Sequence, residues 1–295
     1  MLLTGNRRGA YNMAVDAALL KAVEEGKSPP VLRLYGWDPY CISLGYFQKP
    51  SQELNAKALE ERGWDVVLRP TGGRAVLHAE ELTYSVVARR DEAPWCATLA
   101  LSHERISRAW AFALEGFDLN VSDGRNAGSS SGSQTVAGSS LKASGPGLPC
   151  FASTSRSELA FGKRKVVGSA QRRTREAFLQ HGSIPLTPLH ERLVEVLNLT
   201  EPGRADYLEA LRGHATSLSE IAGLPSIVSS GTGASAGIQA WSRQLTEKLL
   251  EALEVQGLPG ELTQEEVETA QALEKTHKRR QQAFFRVNIK ATKAP

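Results

Sequence analysis

The chain has 295 residues, 41% of them hydrophobic and 23% charged, with a formal net charge of +3. Those numbers describe an ordinary globular protein, long enough to bury a real core in one large domain or two smaller ones. They exclude the concentrated basic character of a nucleic-acid binder, while leaving room for an acidic protein partner.

Three cysteines, Cys41, Cys96 and Cys150, are odd in number and widely spaced. A disulfide framework or a zinc site needs more ligands or tighter spacing, so a reducing, cytoplasmic compartment is expected. The N-terminus lacks the order of a secretory signal, because its basic pair follows the apolar residues. No window holds 18 uninterrupted apolar residues, and no transmembrane helix is expected.

In chain order, residues 10–26 predict a helix with Val15, Leu19, Ala22 and Val23 on one face and Gly26 as its stop. VLRLYGW (31–37) and CISLGYF (41–47) read as short strands joined by a turn at Asp38-Pro39. A helix is expected over 52–62, ending at Gly63. DVVLRP (65–70) predicts a strand running into the glycine turn TGGRA, and ELTYSVVAR (81–89) a return strand with Leu82, Tyr84 and Val86 alternating against Thr83 and Ser85. Nothing between them is long enough for a helical crossover, so a hairpin-like pairing and a largely antiparallel sheet follow.

A helix over 97–115 would use Leu99, Ile106, Trp110 and Leu114. Residues 122–149 are half Ser or Gly, too little to offset ordering entropy, and are expected to form a mobile loop. Residues 157–186 read as a three-stranded meander with a tight turn at Gly162-Lys163-Arg164. Helices are then expected at 189–197, at 216–222 capped by Thr216 or Ser217, and at 238–255 with Ile238, Trp241, Leu245, Leu249 and Leu253 in register. A second Ser/Gly loop (226–237) precedes that helix, and Thr263-Gln-Glu-Glu266 reads as a capping box for another.

Four pieces carry chemistry-bearing residues. In RPTGGRAVLH (69–78), paired glycines let the backbone approach a ligand and expose N–H donors, with Arg69, Arg74 and His78 nearby. The spaced glycines and terminal Lys-Ser/Thr of a phosphate P-loop are absent. A strand-connecting turn with exposed arginines is the plainer alternative. In GKRKVVGSAQ (162–171), an alternating strand puts Lys165 on the face of Val167. Partial burial there would disfavour its charged form, although a solvated hairpin tip is the commoner case. Gly168-Ser169-Ala170 is a run of small residues of the kind found where something packs close to a strand. His181, in QHGSIPL, stands alone in a strand, where most histidines are structural. Cys150 ends the Ser/Gly run: a reactive thiolate wants access and cationic or hydrogen-bonding neighbours, and Lys165 and His181 lie on the meander that follows it. Cys41 and Cys96 read as inert packing residues.

Taken together, YNMAVDAALL, ISLGYFQ, RPTGGRAVLHAEELTYSV, CFAS and FGKRKVVGSAQRRTREAFLQHGSIPL resemble the lipoate–biotin protein ligase superfamily, and within it the LipM-type octanoyltransferases. The resemblance spans residues 11–186. It implies an α/β (α+β) fold with a central mixed, largely antiparallel sheet flanked by helices. The expected organisation is a catalytic domain over 1–260 with a helical extension of it over 261–295. The resemblance further implies an acyl chain lying against TGGRAVLH, with Lys165 at the acyl carbonyl and Cys150 as the acyl-accepting nucleophile. Arg69, Thr71, Gly72, Gly73, Arg74, His78, Gly168, Ser169, Ala170 and His181 would form the substrate site. Related ATP-dependent lipoate ligases typically carry a third glycine where Arg74 stands and lack a counterpart of Cys150.

On that plan the enzyme takes an octanoyl group from octanoyl-acyl carrier protein and passes it to the lysine of an apo lipoyl domain, in the glycine-cleavage H protein or a dehydrogenase E2. No metal or organic cofactor, nucleic acid or membrane is called for, and a monomer is the default. An ATP-dependent ligase on the same fold and a non-catalytic acyl-binding subunit are the alternatives. The first would consume ATP, and the second would bind without turnover.

Overall fold

The computed structural model describes residues 1–95, 98–117, 119–121, 158–223 and 232–291. Cys96, Cys150, the Ser/Gly run 122–149 and residues 226–231 of the second Ser/Gly loop lie outside them.

The chain opens with β1 (Leu2–Arg7), α1 (Gly9–Glu24), β2 (Val31–Trp37) and β3 (Cys41–Leu44). Next come α2 (Pro50–Glu53), α3 (Ala56–Arg62), β4 (Asp65–Leu68), β5 (Val76–His78) and β6 (Glu81–Arg89). Then come α4 (Leu99–Ala113), β7 (Asn120–Val121), β8 (Leu159–Phe161), β9 (Arg164–Arg173), β10 (Ala177–Pro185) and a 3-10 helix (Pro188–Val196). Helices α5 (Glu201–His214), α6 (Leu218–Ala222), α7 (Thr232–Leu253) and α8 (Gln264–Ala291) complete the described chain.

Seven strands form one sheet in the order β1-β2-β6-β10-β9-β8-β7, and three form a second in the order β4-β3-β5. Among the described strands β1–β2 and β3–β4 pair in parallel and the other pairs are antiparallel, so the sheets are mixed and largely antiparallel, as expected.

Period-two alternation decides what each face of the large sheet meets. Leu32, Leu34, Leu82, Tyr84 and Val86 turn to one side and bury against Ile106 and Trp110 of α4 and Leu245, Leu249 and Leu253 of α7. Val31, Val87 and Leu179 turn to the other and pack on Val15, Leu19 and Val23 of α1, with Ala270 of α8 behind them. The small sheet has its own core, where Ile42, Leu44, Val66 and Leu77 meet Leu59, Trp64, Val196 and Phe284. The 157–186 meander stands as expected, with Gly162 in the left-handed turn conformation. The box at Thr263 is present too: the Glu266 carboxylate accepts from the Thr263 N–H (2.7 Å), and the Glu266 N–H donates to the Thr263 hydroxyl (3.3 Å).

Five expectations are corrected. The helix expected over 238–255 begins at Thr232, so the second half of the expected Ser/Gly loop 226–237 is helical. The strands flanking the TGGRA turn do not pair: β4 and β5 both bond to β3, and Glu80, at φ 44°, sends the chain across into the large sheet as β6. The helix expected over 52–62 is two, because the Asn55 side chain caps a new start by accepting from the Ala58 N–H (3.0 Å). Leu99, assigned to the buried face of its helix, is 50% exposed. Residues 188–196 wind as a 3-10 helix. Four elements have no counterpart in the sequence reading: β1, interrupted by Gly5 and a register shift, the short strands β5 and β7, and α5, whose buried residues are Tyr207 and Leu211.

Candidate acyl-transfer site

Between the two sheets lies a cleft of about 490 Å³, its open mouth included, lined by Met13, Tyr35, Trp37, Ser43, Arg69, Val76, His78, Thr83, Lys165, Gly168, Ser169, Ala170, His181, Gly182 and Ser183. Of the twelve residues the sequence reading named, seven line it. Thr71 is buried beside His181, whereas Gly72, Gly73 and Arg74 are exposed on its rim. Cys150 lies outside the described residues.

The small-residue run is explained by strand register. Gly168, Ser169 and Ala170 on β9 face Ser183, Gly182 and His181 on β10. A Cβ at Gly182 would run into the Tyr84 ring, the Ser169 hydroxyl and the Gly168 carbonyl, so only glycine leaves this wall open.

Arg69 organises the glycine turn. Its guanidinium donates to the carbonyls of Gly72 (2.9 and 3.1 Å), Arg74 (2.7 Å) and Ser43 (2.8 Å), and to the Ser43 hydroxyl (3.1 Å). Gly73, at φ 98°, occupies the left-handed region the turn requires, and a Cβ at Gly45 would strike its carbonyl. His78 has the partner the sequence could not assign. Its Nδ1 lies 2.7 Å from the Glu81 carboxylate, its Nε2 lies 2.7 Å from the Ser43 hydroxyl, and its ring stacks on Trp37 at 4.0 Å. Burial pushes the Glu81 carboxyl up, but His78, Ser183 and Thr83 more than offset it and hold the group below the ordinary range.

His181 is tied to a buried network that sequence reasoning missed. Its Nε2 meets the Thr71 hydroxyl at 2.7 Å, and its Nδ1 faces Asp16 on α1 at 3.4 Å. Asp16 in turn accepts from Arg33 (2.7 Å), Tyr35 (2.8 Å) and Ser85 (3.0 Å), all fully or almost fully buried. Burial pushes the Asp16 carboxyl up. Arg33, His181 and Tyr35 together outweigh that and hold it below its usual value. The available signal was polar: Asn12 and Asp16, one helical turn apart, interrupt an otherwise apolar helix, and a buried acid demands a partner.

Burial pushes the His181 imidazole below its ordinary value near 6.5, against the pull of Asp16. The unfolded chain therefore binds that proton first. The stability is present above pH 6.5 and is lost as pH falls through the folded value. His103, His190 and His277 are shifted the same way by burial, so several histidines share this limb. Urea unfolding between pH 7.5 and 5 should show stability falling on acidification. His181→Gln should remove up to about 1.4 kcal/mol per pH unit of that slope. An unchanged slope would mean His181 is not buried neutral.

Lys165 is 3% exposed, and its ammonium donates to the Glu158 carboxylate at 2.5 Å, with Glu158 itself 4% exposed. Desolvation therefore does not act alone on this lysine. A counter-charge seven residues earlier, just before β8, holds it at the cleft wall. His103 of α4 is close enough to feel both charges, though burial dominates in lowering its own pKa. Cys41 is fully buried beside Gly9, and desolvation, reinforced by Asp65, pushes its thiol well above the usual range; it is inert packing, as expected.

Two sheets closing on a narrow cleft, with helices on the outer faces, form the architecture of lipoate–protein ligases. A bipartite lipoate protein ligase from Thermoplasma acidophilum superposes with a TM-score of 0.69 at 20% identity, covering 93% of this chain and 91% of that one. A putative lipoate protein ligase from the same organism, with bound lipoic acid, gives 0.64 at 21% identity, covering 93% and 94%. The chain belongs to the lipoyl protein ligase A/B catalytic domain family, whose model matches residues 8–232. Within it, the chain is 40% identical to octanoyltransferase LipM of Kyrpidia tusciae, over 92% of this chain and 93% of that protein. It is 41% identical to octanoyltransferase LipM of Moorella thermoacetica, over 76% and 78%. Among the described residues, no helix is long and apolar enough to cross a membrane.

Proposed function

We propose that this protein is an octanoyltransferase of protein lipoylation, working in the cytoplasm. It moves an octanoyl group from octanoyl-acyl carrier protein, through a thioester on Cys150, to the lysine of an apo lipoyl domain. The reading is carried by the near-full-length similarity to octanoyltransferases. The cleft supports it, because a largely apolar slot with a buried cation in its wall suits an acyl chain and its carbonyl.

The Cys150 thiolate attacks the thioester carbonyl, the carbon–sulfur bond to the carrier breaks, and the carrier thiol leaves. The lysine amine of the acceptor then attacks the acyl-cysteine, an amide forms, and Cys150 is released. The proton lost by the amine balances the one taken up by the carrier thiol, and because the acyl group arrives already activated as a thioester, ATP is not needed. Lys165, in the cleft wall, would stabilise the oxyanion of either addition step. Gly72, Gly73 and Gly168 offer backbone N–H groups for the same purpose. Thr71, His78, Ser169, Ala170 and His181 shape the acyl slot, and Arg69 and Arg74 hold and edge the turn against it.

Incubating the protein with octanoyl-acyl carrier protein and no ATP should increase its intact mass by one octanoyl group. The adduct should disappear on addition of an apo lipoyl domain. Transfer that requires free octanoate and ATP, with no adduct, would instead establish the ligase.

A further inference from the structure

The rim of the cleft carries a feature that the transfer chemistry does not use. Phe47 is 88% exposed and Tyr46 56%, and the two rings meet edge-on at 5.1 Å. Tyr46 is tied to the cleft wall, and Phe47 projects from it into solvent. The Tyr46 N–H donates to the Thr71 carbonyl (2.9 Å), and Thr71 reaches His181 inside. The Arg172 guanidinium lies over the Tyr46 ring at 5.7 Å and donates to the Pro70 carbonyl at 3.3 Å, two residues along β9 from the cleft-lining Ala170.

The three segments that build this rim, 45–49, 70–74 and 170–173, contain Lys49, Arg74, Arg172 and Arg173 and no Asp or Glu. Lys49, Arg74 and Arg172 are exposed. A solvated aromatic pair framed by the exposed cations Lys49, Arg74 and Arg172, on segments that carry no acid of their own, has the composition of an interface anchor and its steering charges.

We propose that this rim is the docking face for the acidic surface of the carrier protein that delivers the acyl thioester. The proposal rests on the octanoyltransferase reading. An acyl chain seated in the cleft while still joined to its carrier leaves the carrier's body at the mouth, against Tyr46, Phe47 and Arg172. The cations raise the encounter rate with an acidic partner, and the aromatic pair supplies the desolvated contact that holds it. The acceptor domain meets an enzyme already loaded and has no acyl chain to thread.

The test compares two donors, octanoyl-acyl carrier protein and octanoyl-pantetheine, with wild type, Phe47→Ala and Arg172→Gln. Each variant should lose about tenfold or more in kcat/KM with the protein donor, mainly through KM. Rates with octanoyl-pantetheine should stay within about twofold, because the small thioester needs no docking. The protein-donor rate of the wild type should fall with salt, and Arg172→Gln should flatten that dependence. Equal losses with both donors would make the rim part of the acyl site, and no loss with either would remove its role. A loss confined to the acceptor step, read by single turnover from preformed acyl-enzyme, would assign the face to the lipoyl domain. Each of those results overturns the docking proposal while leaving the transferase reading intact. A wild-type enzyme that accepts neither donor would overturn both.

Discussion

Cys150→Ser is expected to abolish the acyl-enzyme and to lower octanoyl transfer by on the order of 10⁴-fold or more, the scale of loss when a covalent nucleophile is removed. A cysteine is a few per cent thiolate at neutral pH and intrinsically nucleophilic, whereas a serine hydroxyl needs a positioned general base to attack at all. The substitution changes one atom, so bulk is not the variable. The measurement is intact mass after mixing with octanoyl-acyl carrier protein, alongside product formation on an apo lipoyl domain. The folded state of the variant is checked by its thermal unfolding. A variant that still transfers at near wild-type rate would sink the covalent route and leave direct attack of the acceptor amine on the carrier thioester.

The same protein offers an internal control. Cys41 has no solvent exposure and a thiol held in its protonated form by desolvation, so it resists alkylation while the chain is folded. Iodoacetamide inactivation should therefore track label at Cys150, and octanoyl loading should protect it. Label at Cys41 that tracks inactivation would contradict the buried assignment.

What could be read from the sequence was local. The 157–186 meander, the left-handed turn at Gly162 and the box at Thr263 each depend on residues within a few positions of one another, and each stands in the structure. Leu82, Tyr84 and Val86 declared their common face by alternation alone. The failures were long-range. Nothing in DVVLRP or AVLHAEE says that both flank β3, whose pairing closes over gaps of about twenty to forty residues. The hairpin inferred around TGGRA was therefore the shortest available pairing, and it was wrong.

The site divides the same way. The glycine turn, the small-residue run and Lys165 are visible as motifs because each lies in a short run of neighbours in sequence. The groups that hold them come from elsewhere: Glu81 and Ser43 for His78, Asp16 for His181 and Glu158 for Lys165. Burial of a charged or polar side chain implies a partner, and periodicity does not say which.

Lys165 is where that distinction has the largest consequence. Lys165→Met should cost two separable things. Glu158 would be left buried without its lysine counter-charge, and breaking such a pair from one side typically destabilises by about 3–5 kcal/mol. On the proposed mechanism an oxyanion donor would also be gone, worth roughly 10²–10³-fold in kcat. The double variant Lys165→Met/Glu158→Leu removes both charges and fills the same space. Replacing a buried pair by apolar groups of similar volume is often neutral or stabilising. Its unfolding midpoint should thus return towards that of the wild type, while octanoyl transfer stays at the level of the single variant. Glu158→Gln alone keeps the lysine in the cleft and should lower kcat less than Lys165→Met does, because the cation remains. Denaturant unfolding and pre-steady-state acylation of Cys150, measured on all four proteins, separate the two roles. Activity that recovers along with stability in the double variant would reduce Lys165 to one half of a structural ion pair. Stability that recovers without activity would leave the ammonium acting on the acyl carbonyl itself.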